Sequence, residues 1–357
     1  MSLTCGQVLV LLPVHNCAET IHDTVNSILN QSYHNFILYI SYDLSTDRTY
    51  ELLSKITDNR VILDSRIGPP GLFSNMNHCI NFARSFLSAE FVCIYNSDDI
   101  YSLTILEEQV KAFRFRPYLS AVFTESIFID IYGSTIGFSK NSFTSQGTHV
   151  YTFEQMFKGS LHSTVTCLSP SFMTKVSCLV NNPNLFQRPD LFGQAADFGF
   201  YLELARLEGP VHVIPLPLLK YRIWSKSSSS SIYKDLPDNH KLLNYFFDDD
   251  LISSSLTRLD LSQRNIHLFR FELCRARQYS ESNHDVAAHH LSNTCSISFS
   301  TLFNSLYNFR VVIEHFLVRA FRCNKYLLFF FFRLRSIIRP YFLQYYRLKR
   351  NPFKTPV

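Results

Sequence analysis

Short apolar runs alternate with amphipathic helical patterns along residues 8–95, and this alternation limits the fold more than any other feature of the chain. Val8–Leu12, Phe36–Tyr42, Val61–Leu63 and Phe91–Tyr95 read as buried strands, the first ended by Pro13. Between them lies a helical pattern with Ile21, Val25, Ile28 and Leu29 on one face. Further helices are expected over Thr49–Ile56 and over Leu72–Leu87, the latter entered from Gly68-Pro69-Pro70-Gly71. A βαβα rhythm predicts an α/β fold with a mainly parallel sheet, right-handed crossovers and flanking helices.

Polar residues then fall at successive strand ends: Pro13-Val14-His15-Asn16, Asp43-Leu44-Ser45-Thr46-Asp47 and Asn96-Ser97-Asp98-Asp99. In α/β sheets the carboxyl ends of the strands are where ligands bind. Ionised Asp is almost never fully buried without a partner, so adjacent carboxylates at a strand end do not serve a core. Hard oxygen ligands suit Mg²⁺ or Mn²⁺, above all an ion shared with phosphates. An Asp cap for a helix over Leu103–Phe115 is the competing reading.

The ordered set PVHN (13–16), QSYHNFILYISYDLSTDRT (31–49), GLFSNMNHCI (71–80) and NSDD (96–99) resembles the donor half of family-2 glycosyltransferases, which have the GT-A fold. LHSTV (161–165), AADFGFYLELA (195–205) and LLKYRIWSKSSS (218–229) resemble that family's acceptor half. The resemblance covers roughly residues 5–230 and divides them into a nucleotide-sugar-binding half (1–105) and an acceptor and catalytic half of the same domain (106–230); helical pattern and charge set apart a helical extension (231–310) and a basic aromatic tail (311–357).

The resemblance implies a nucleotide-sugar donor, a divalent metal (Mg²⁺ or Mn²⁺) and inversion at the anomeric carbon. Asp43 matches the carboxylate that accepts the imide N–H of a uracil or thymine, and a carboxylate is an acceptor-only group. Asp98 matches the metal-binding Asp of the DxD signature, and Asn96 stands where its first Asp usually is. Pro13 and His15 match base-contacting positions, and Asn77 matches an Asn that faces the diphosphate. Asp197 matches the catalytic base, with a helix cap before Phe198–Leu207 as the competing role. Asp99, His162 and Trp224 are candidates for the acceptor side.

Departures from the pattern are Tyr42 and Leu44 for the usual Asp and Gly of DDGSTD, Ser74 for a basic residue near the phosphates, and Trp224 for a His. Leu resists positive φ, so the loop after the second strand must take an ordinary conformation.

The remaining expectations come from composition. None of the 9 cysteines falls in a CxxC spacing, which argues for reduced thiols in a cytoplasmic setting. The 13 histidines form no HExxH pattern. Met1-Ser2-Leu3-Thr4 lacks the charged start of a signal peptide, and no apolar stretch is long enough to span a bilayer. Ser225–Ser231 reads as a loop, and Leu242–Phe247 and Ile266–Arg277 as helices.

Residues 310–357 carry 11 Lys and Arg against one acid, Glu314, a charge of +10, whereas the rest of the chain carries 23 basic and 28 acidic side chains, −5. Leu327, Phe330, Leu334, Ile338, Tyr341 and Tyr345 share one side of a helical wheel, with Arg333, Arg335, Arg339 and Arg347 away from it. Such a segment reads as an anchor for an anionic membrane surface, against the alternative of a helix docked on the protein itself. No nucleic-acid-binding motif accompanies the charge, so no such partner is expected.

The chain is therefore read as a metal-dependent glycosyltransferase of cell-surface glycan synthesis, peripheral to the cytoplasmic face of a membrane, with a glycan or lipid-linked glycan as acceptor. A non-catalytic nucleotide- or glycan-binding relative, or a sugar-phosphate nucleotidyltransferase, stays open as the alternative.

Overall fold

The computed structural model describes residues 6–139, 149–162, 164–165, 167–224, 232–261, 263–265, 267–268 and 272. They fall in two compact units, residues 1–255 and 256–357. The Ser-rich stretch 225–231 and the basic tail 310–357 lie outside the described residues.

The first unit alternates strands and helices in the order β1 (Gln7–Val14), α1 (Ile21–Leu29), β2 (Phe36–Tyr42), α2 (Thr49–Leu53), β3 (Val61–Ser65), α3 (Leu72–Ser85) and β4 (Ala89–Ile94). It continues with β5 (Ile100–Tyr101), α4 (Ile105–Phe115), β6 (Ala121–Ile129), β7 (Thr135–Phe138), β8 (Val150–Tyr151), α5 (Phe153–Leu161), β9 (Phe172–Lys175) and α6 (Val176–Asn181). The last elements are α7 (Pro189–Phe192), α8 (Ala196–Glu208), β10 (Val211–Arg222), α9 (Ile232–Phe247) and α10 (Asp250–Ser253).

One sheet collects the ten strands, in the order β3-β2-β1-β4-β9-β6-β10-β5, with β7 on β6 and β8 on β10. Strands β1 to β4 pair in parallel, whereas β9 runs antiparallel to both β4 and β6. The sheet is thus mixed beyond β4. The chain first steps outward from β1 to β3 and then returns to the other side of β1 for β4. That reversal makes the ends of β1 and β4 a topological switch point, where a crevice opens.

β1 outruns its expected end and passes through Pro13. Its pairing with β4 stops at Leu11–Ile94, while its pairing with β2 runs on to Val14–Tyr42. Leu11 O accepts from Tyr95 N on the β4 side, and Val14 O accepts from Asp43 N on the β2 side. Pro13, two residues after Leu11, therefore turns its missing N–H toward the edge that β4 has already left, where no ladder bond is lost.

Behind the crevice the core is continuous. Ile21, Val25 and Ile28 of α1 join Val8, Val10, Leu12, Leu38, Ile40, Phe91 and Cys93 of the sheet, all buried. Phe172, Phe200 and Tyr201 pack edge-on and tilted around Phe123 and one another. Gly199 lets α8 close onto Phe192, since a Cβ there would lie 2.3 Å from the ring. Phe246 and Phe247 of α9 pack on Phe153, Phe157 and Phe192, so α9 belongs to the first unit. In the second unit Thr257 and Asp260 exchange side-chain hydrogen bonds to each other's amide, a helix-start signature.

Candidate active site

A cleft of about 670 Å³ lies at the switch point. Pro13, His15, Asp43, Asn96, Asp98, Asp197 and Trp224 all line it, so residues spread over most of the first unit's length meet on one surface. Arg66 contacts one of these, Asp43, from behind the surface.

Asp43 follows β2 and is buried. Its Oδ2 accepts from Arg66 Nη2 and from Gly71 N, both at 3.1 Å. Gly71 has φ +129, which an L side chain rarely adopts, so this amide is aimed at Asp43 by a residue only glycine fills easily. Leu44 is 80 % exposed and takes no positive φ; Asn16 and His149 are the non-glycine residues that do among those described. Asn16 in this conformation accepts from Thr46 N through Oδ1 and donates its own amide to Ser45 Oγ, tying the β1 loop to the β2 loop. Tyr42, in place of the usual acid, accepts the Ser45 amide at its hydroxyl.

Arg66 is missing from the sequence reading. It is 8 % exposed and its Nη1 donates to Ser74 Oγ at 3.1 Å. A guanidinium from the end of β3 thus reaches Ser74, which stands where the resemblance expects a basic side chain. Nothing in the linear pattern marks Arg66, because it lies between motifs rather than in one.

The Asn96–Asp99 loop is held from three sides. Asn96 O accepts from the Tyr101 hydroxyl, and Ser97 O from the hydroxyls of Thr20 and Thr24. Asp98 O accepts from Arg222 Nε at 2.7 Å, and Asp99 O from Thr24 Oγ1 at 2.7 Å. All four carbonyls of the motif thus have a side-chain donor.

The two carboxylates of the motif separate. Asp98 lines the cleft, where burial pushes its carboxyl up and the indole N–H of Trp224, 3.1 Å from Oδ2, opposes that rise. Asp99, expected on the acceptor side, is fully buried and does not line the cleft. Its Oδ1 accepts from Arg222 N at 2.7 Å, and burial together with the charge of Asp98 holds its carboxyl well above the usual range.

Asn77 is also placed away from the cleft. It exchanges two 2.9 Å hydrogen bonds with the backbone of Gln187, joining α3 to the segment before α7. Asn75 lines the cleft instead, locked to Ser41 by its amide. Residues two apart on a helix point to different faces, so only one of this pair can reach the crevice.

Asp197 lies in the first turn of α8, where the helix dipole favours negative charge. The helix is capped by Ala195, so Asp197 is inside it rather than before it; its Oδ1 accepts from Phe198 N at 2.7 Å. His162 closes α5 and does not line the cleft. Cys17 and Cys167 do line it, but burial pushes both thiols up to about 12, which leaves no thiolate nucleophile at neutral pH.

A divalent cation fits this donor set in one way. Among the described residues no three or more His, Cys, Asp or Glu side chains are grouped as a metal cage. Asp98 offers one hard carboxylate in a cleft large enough for a diphosphate, and Mg²⁺-type ions are bound by one or two carboxylates with phosphates and waters completing the shell. No helix among the described residues is long and apolar enough to cross a membrane.

The profile of the family described as Glycosyl transferase family 2 matches residues 9–175. An Escherichia coli UDP-Glc:alpha-D-GlcNAc-diphosphoundecaprenol beta-1,3-glucosyltransferase, WfaP, is 30% identical over 101 residues, 28% of this chain and 39% of that protein. The chain thus spans about two fifths of that relative's length. The crystal structure of S. aureus TarS 1-349 in complex with UDP-GlcNAc superposes with a TM-score of 0.60 at 17% identity, covering 90% of this chain and 89% of that one. A Pyrobaculum calidifontis mannosyltransferase in complex with GDP-Man and Mn2+ superposes at 0.52 and 13% identity, over 92% and 86% of the two chains. The mixed sheet, the switch-point cleft and the matched stretch agree: residues 9–175 carry the family-2 glycosyltransferase profile, and the fold is GT-A.

Proposed function

We propose that the chain transfers a sugar from a UDP- or dTDP-sugar to a hydroxyl acceptor with inversion, in the synthesis of a cell-surface glycan or polysaccharide. The observation that carries the reading is the convergence of Asp43, Asp98 and Asp197 on one switch-point cleft. Residues 1–105 supply the donor side and 106–230 the acceptor side.

Asp43 reads the base. Arg66 and Gly71 N occupy Oδ2, and Oδ1 takes the imide N–H. His15 and Pro13 line the same end of the cleft. Asp98 would hold a divalent cation, Mg²⁺ or Mn²⁺, which when bound supplies positive charge at the departing diphosphate. Asp197 accepts the proton of the acceptor hydroxyl as its oxygen attacks the anomeric carbon. The bond from that carbon to the diphosphate oxygen breaks, and its electron pair leaves with the nucleotide. Line-up of acceptor, anomeric carbon and diphosphate across the cleft gives inversion.

The relatives support the donor and acceptor classes. The TarS structures hold UDP-GlcNAc and UDP, and the name of the E. coli relative carries a UDP-glucose donor and a diphosphoundecaprenol-linked acceptor. A lipid-linked glycan acceptor agrees with the charge of +10 on residues 310–357, through which the chain would meet an anionic membrane surface.

Thermal unfolding with UDP-, dTDP- and GDP-sugars, each with and without Mn²⁺, tests the reading. A ligand at 100 times its Kd stabilises by about 2.7 kcal/mol, so a uridine or thymidine diphosphate sugar with metal should raise the midpoint by several degrees. Asp98→Ala should keep the ligand-free midpoint and lose the metal-dependent rise. No stabilisation by any nucleotide would overturn the proposal, and a preference for GDP-sugars would overturn the base assignment.

The base assignment has its own variant. Asp43→Asn replaces a charged acceptor, and loss of a charged hydrogen-bond partner costs about 1.5–3 kcal/mol. UDP affinity by calorimetry should fall roughly tenfold to a hundredfold on that basis. Unchanged affinity would remove Asp43 from the base site.

A further inference from the structure

Trp224 is the only tryptophan of the chain, and its Nε1–H donates to Asp98 Oδ2 at 3.1 Å. An indole nitrogen is a donor only; it neither accepts a hydrogen bond nor ligates a cation. The contact is built rather than incidental. Arg222, two residues before Trp224, is 2 % exposed and donates through Nε to Asp98 O at 2.7 Å. Its amide donates to Asp99 Oδ1 at 2.7 Å, and Nη1 donates to Ile131 O at 2.6 Å. One buried arginine therefore fixes the backbone on both sides of the indole–carboxylate pair. The side chains of Asp98 and Trp224 keep their torsions, and the hydrogen bond between them removes that freedom.

We propose that Trp224 is the positioning residue of the Asp98 carboxylate. Its N–H occupies Oδ2, so that Asp98 presents one oxygen, Oδ1, to a cation in a fixed orientation. The inference rests on the metal-assisted reading above and adds to it. Carboxylates that ligate metals are themselves hydrogen-bonded, and loss of such a partner typically weakens metal affinity 10–100-fold. The residue that departs from the family pattern at this position thus acts on the cation through Asp98 rather than by binding it. It also differs from a role as an aromatic plate for a sugar, because the ring face and the ring N–H are separable.

The test uses the full chain, Mn²⁺ and UDP. Free Mn²⁺ is followed by its paramagnetic resonance signal at saturating UDP. Trp224→Phe, which keeps an aromatic face and lacks the N–H, should weaken Mn²⁺ binding about 10–100-fold. Its metal-free UDP affinity should stay within twofold of wild type, a split that loss of packing alone would not produce. Benzothienylalanine at position 224 keeps the shape of the indole with sulfur in place of N–H, and should give the same loss without disturbing the fold. In the wild type, Mn²⁺ should quench the fluorescence of the sole tryptophan, and Asp98→Ala should abolish the quenching.

Equal Mn²⁺ affinity in wild type and the benzothienyl variant overturns the positioning role while leaving the metal reading intact. Absence of UDP-dependent Mn²⁺ binding in the wild type overturns the metal reading, and the positioning role falls with it.

Discussion

Asparagine at position 197 is expected to abolish sugar transfer by about 10²–10⁴-fold, the usual contribution of a positioned acid or base, with UDP affinity unchanged. The amide keeps the size of the side chain and its place in the first turn of α8, but cannot take a proton from the acceptor. The backbone contact to Phe198 N is retained by the amide oxygen, so the helix start survives. Acceptor-dependent UDP release measures the loss, and calorimetry with UDP measures what is kept. If transfer persists within a few fold, Asp197 serves α8 alone and the base lies elsewhere on the cleft.

The second large effect concerns stability. Arg222→Met should lower unfolding free energy by about 3–5 kcal/mol, the cost of removing one partner from a buried charge network. Methionine fills a similar volume but leaves the carbonyls of Asp98 and Ile131 without their donor and Asp99 without a nearby cation. At about 2–4 °C per kcal/mol for a domain of this size, the midpoint falls by roughly 6–20 °C. Urea unfolding of the full chain checks it. A change under 1 kcal/mol would mean that water reaches these carbonyls as readily as arginine does.

The parallel half of the fold was legible in the sequence because each element there carries its own signal. Phe36–Tyr42 is apolar but for Ser41 and is flanked by β1 and β3, so the run and the strand coincide. The second half was not legible. β9 has four residues and runs against its neighbours, and β5 and β8 have two each. Strands so short have no periodicity to read, and their pairing is decided by partners far along the chain, as between Val122 and Met173 or between Tyr101 and Leu219.

The site divides in the same way. Asp43 and Asp98 stand at ends of strands with strong signals, and reading those ends brought them to the cleft. Asp99 was misplaced because adjacency in sequence was taken as adjacency in the site. After a strand the next two side chains diverge, and here one enters the cleft while the other is sealed beneath it with Arg222. Asn77 was misplaced by a rotation of two helix positions. Arg66 was missed because its partners, Asp43 and Ser74, are joined only when β2, β3 and the turn into α3 are assembled.

The fastening of the Asn96–Asp99 carbonyls to Thr20, Thr24, Tyr101 and Arg222 has a consequence for selection among donors. Fixing one residue's backbone costs roughly 1–2 kcal/mol, and in this loop that cost falls on the folding of the domain, not on each turnover. A donor that arrives meets a surface already arranged. Its affinity then reports the match of base, phosphate and sugar to that surface, without an ordering penalty common to every candidate. Discrimination between nucleotide sugars is thereby moved from the loop, which treats them alike, to the walls of the cleft that touch what differs among them.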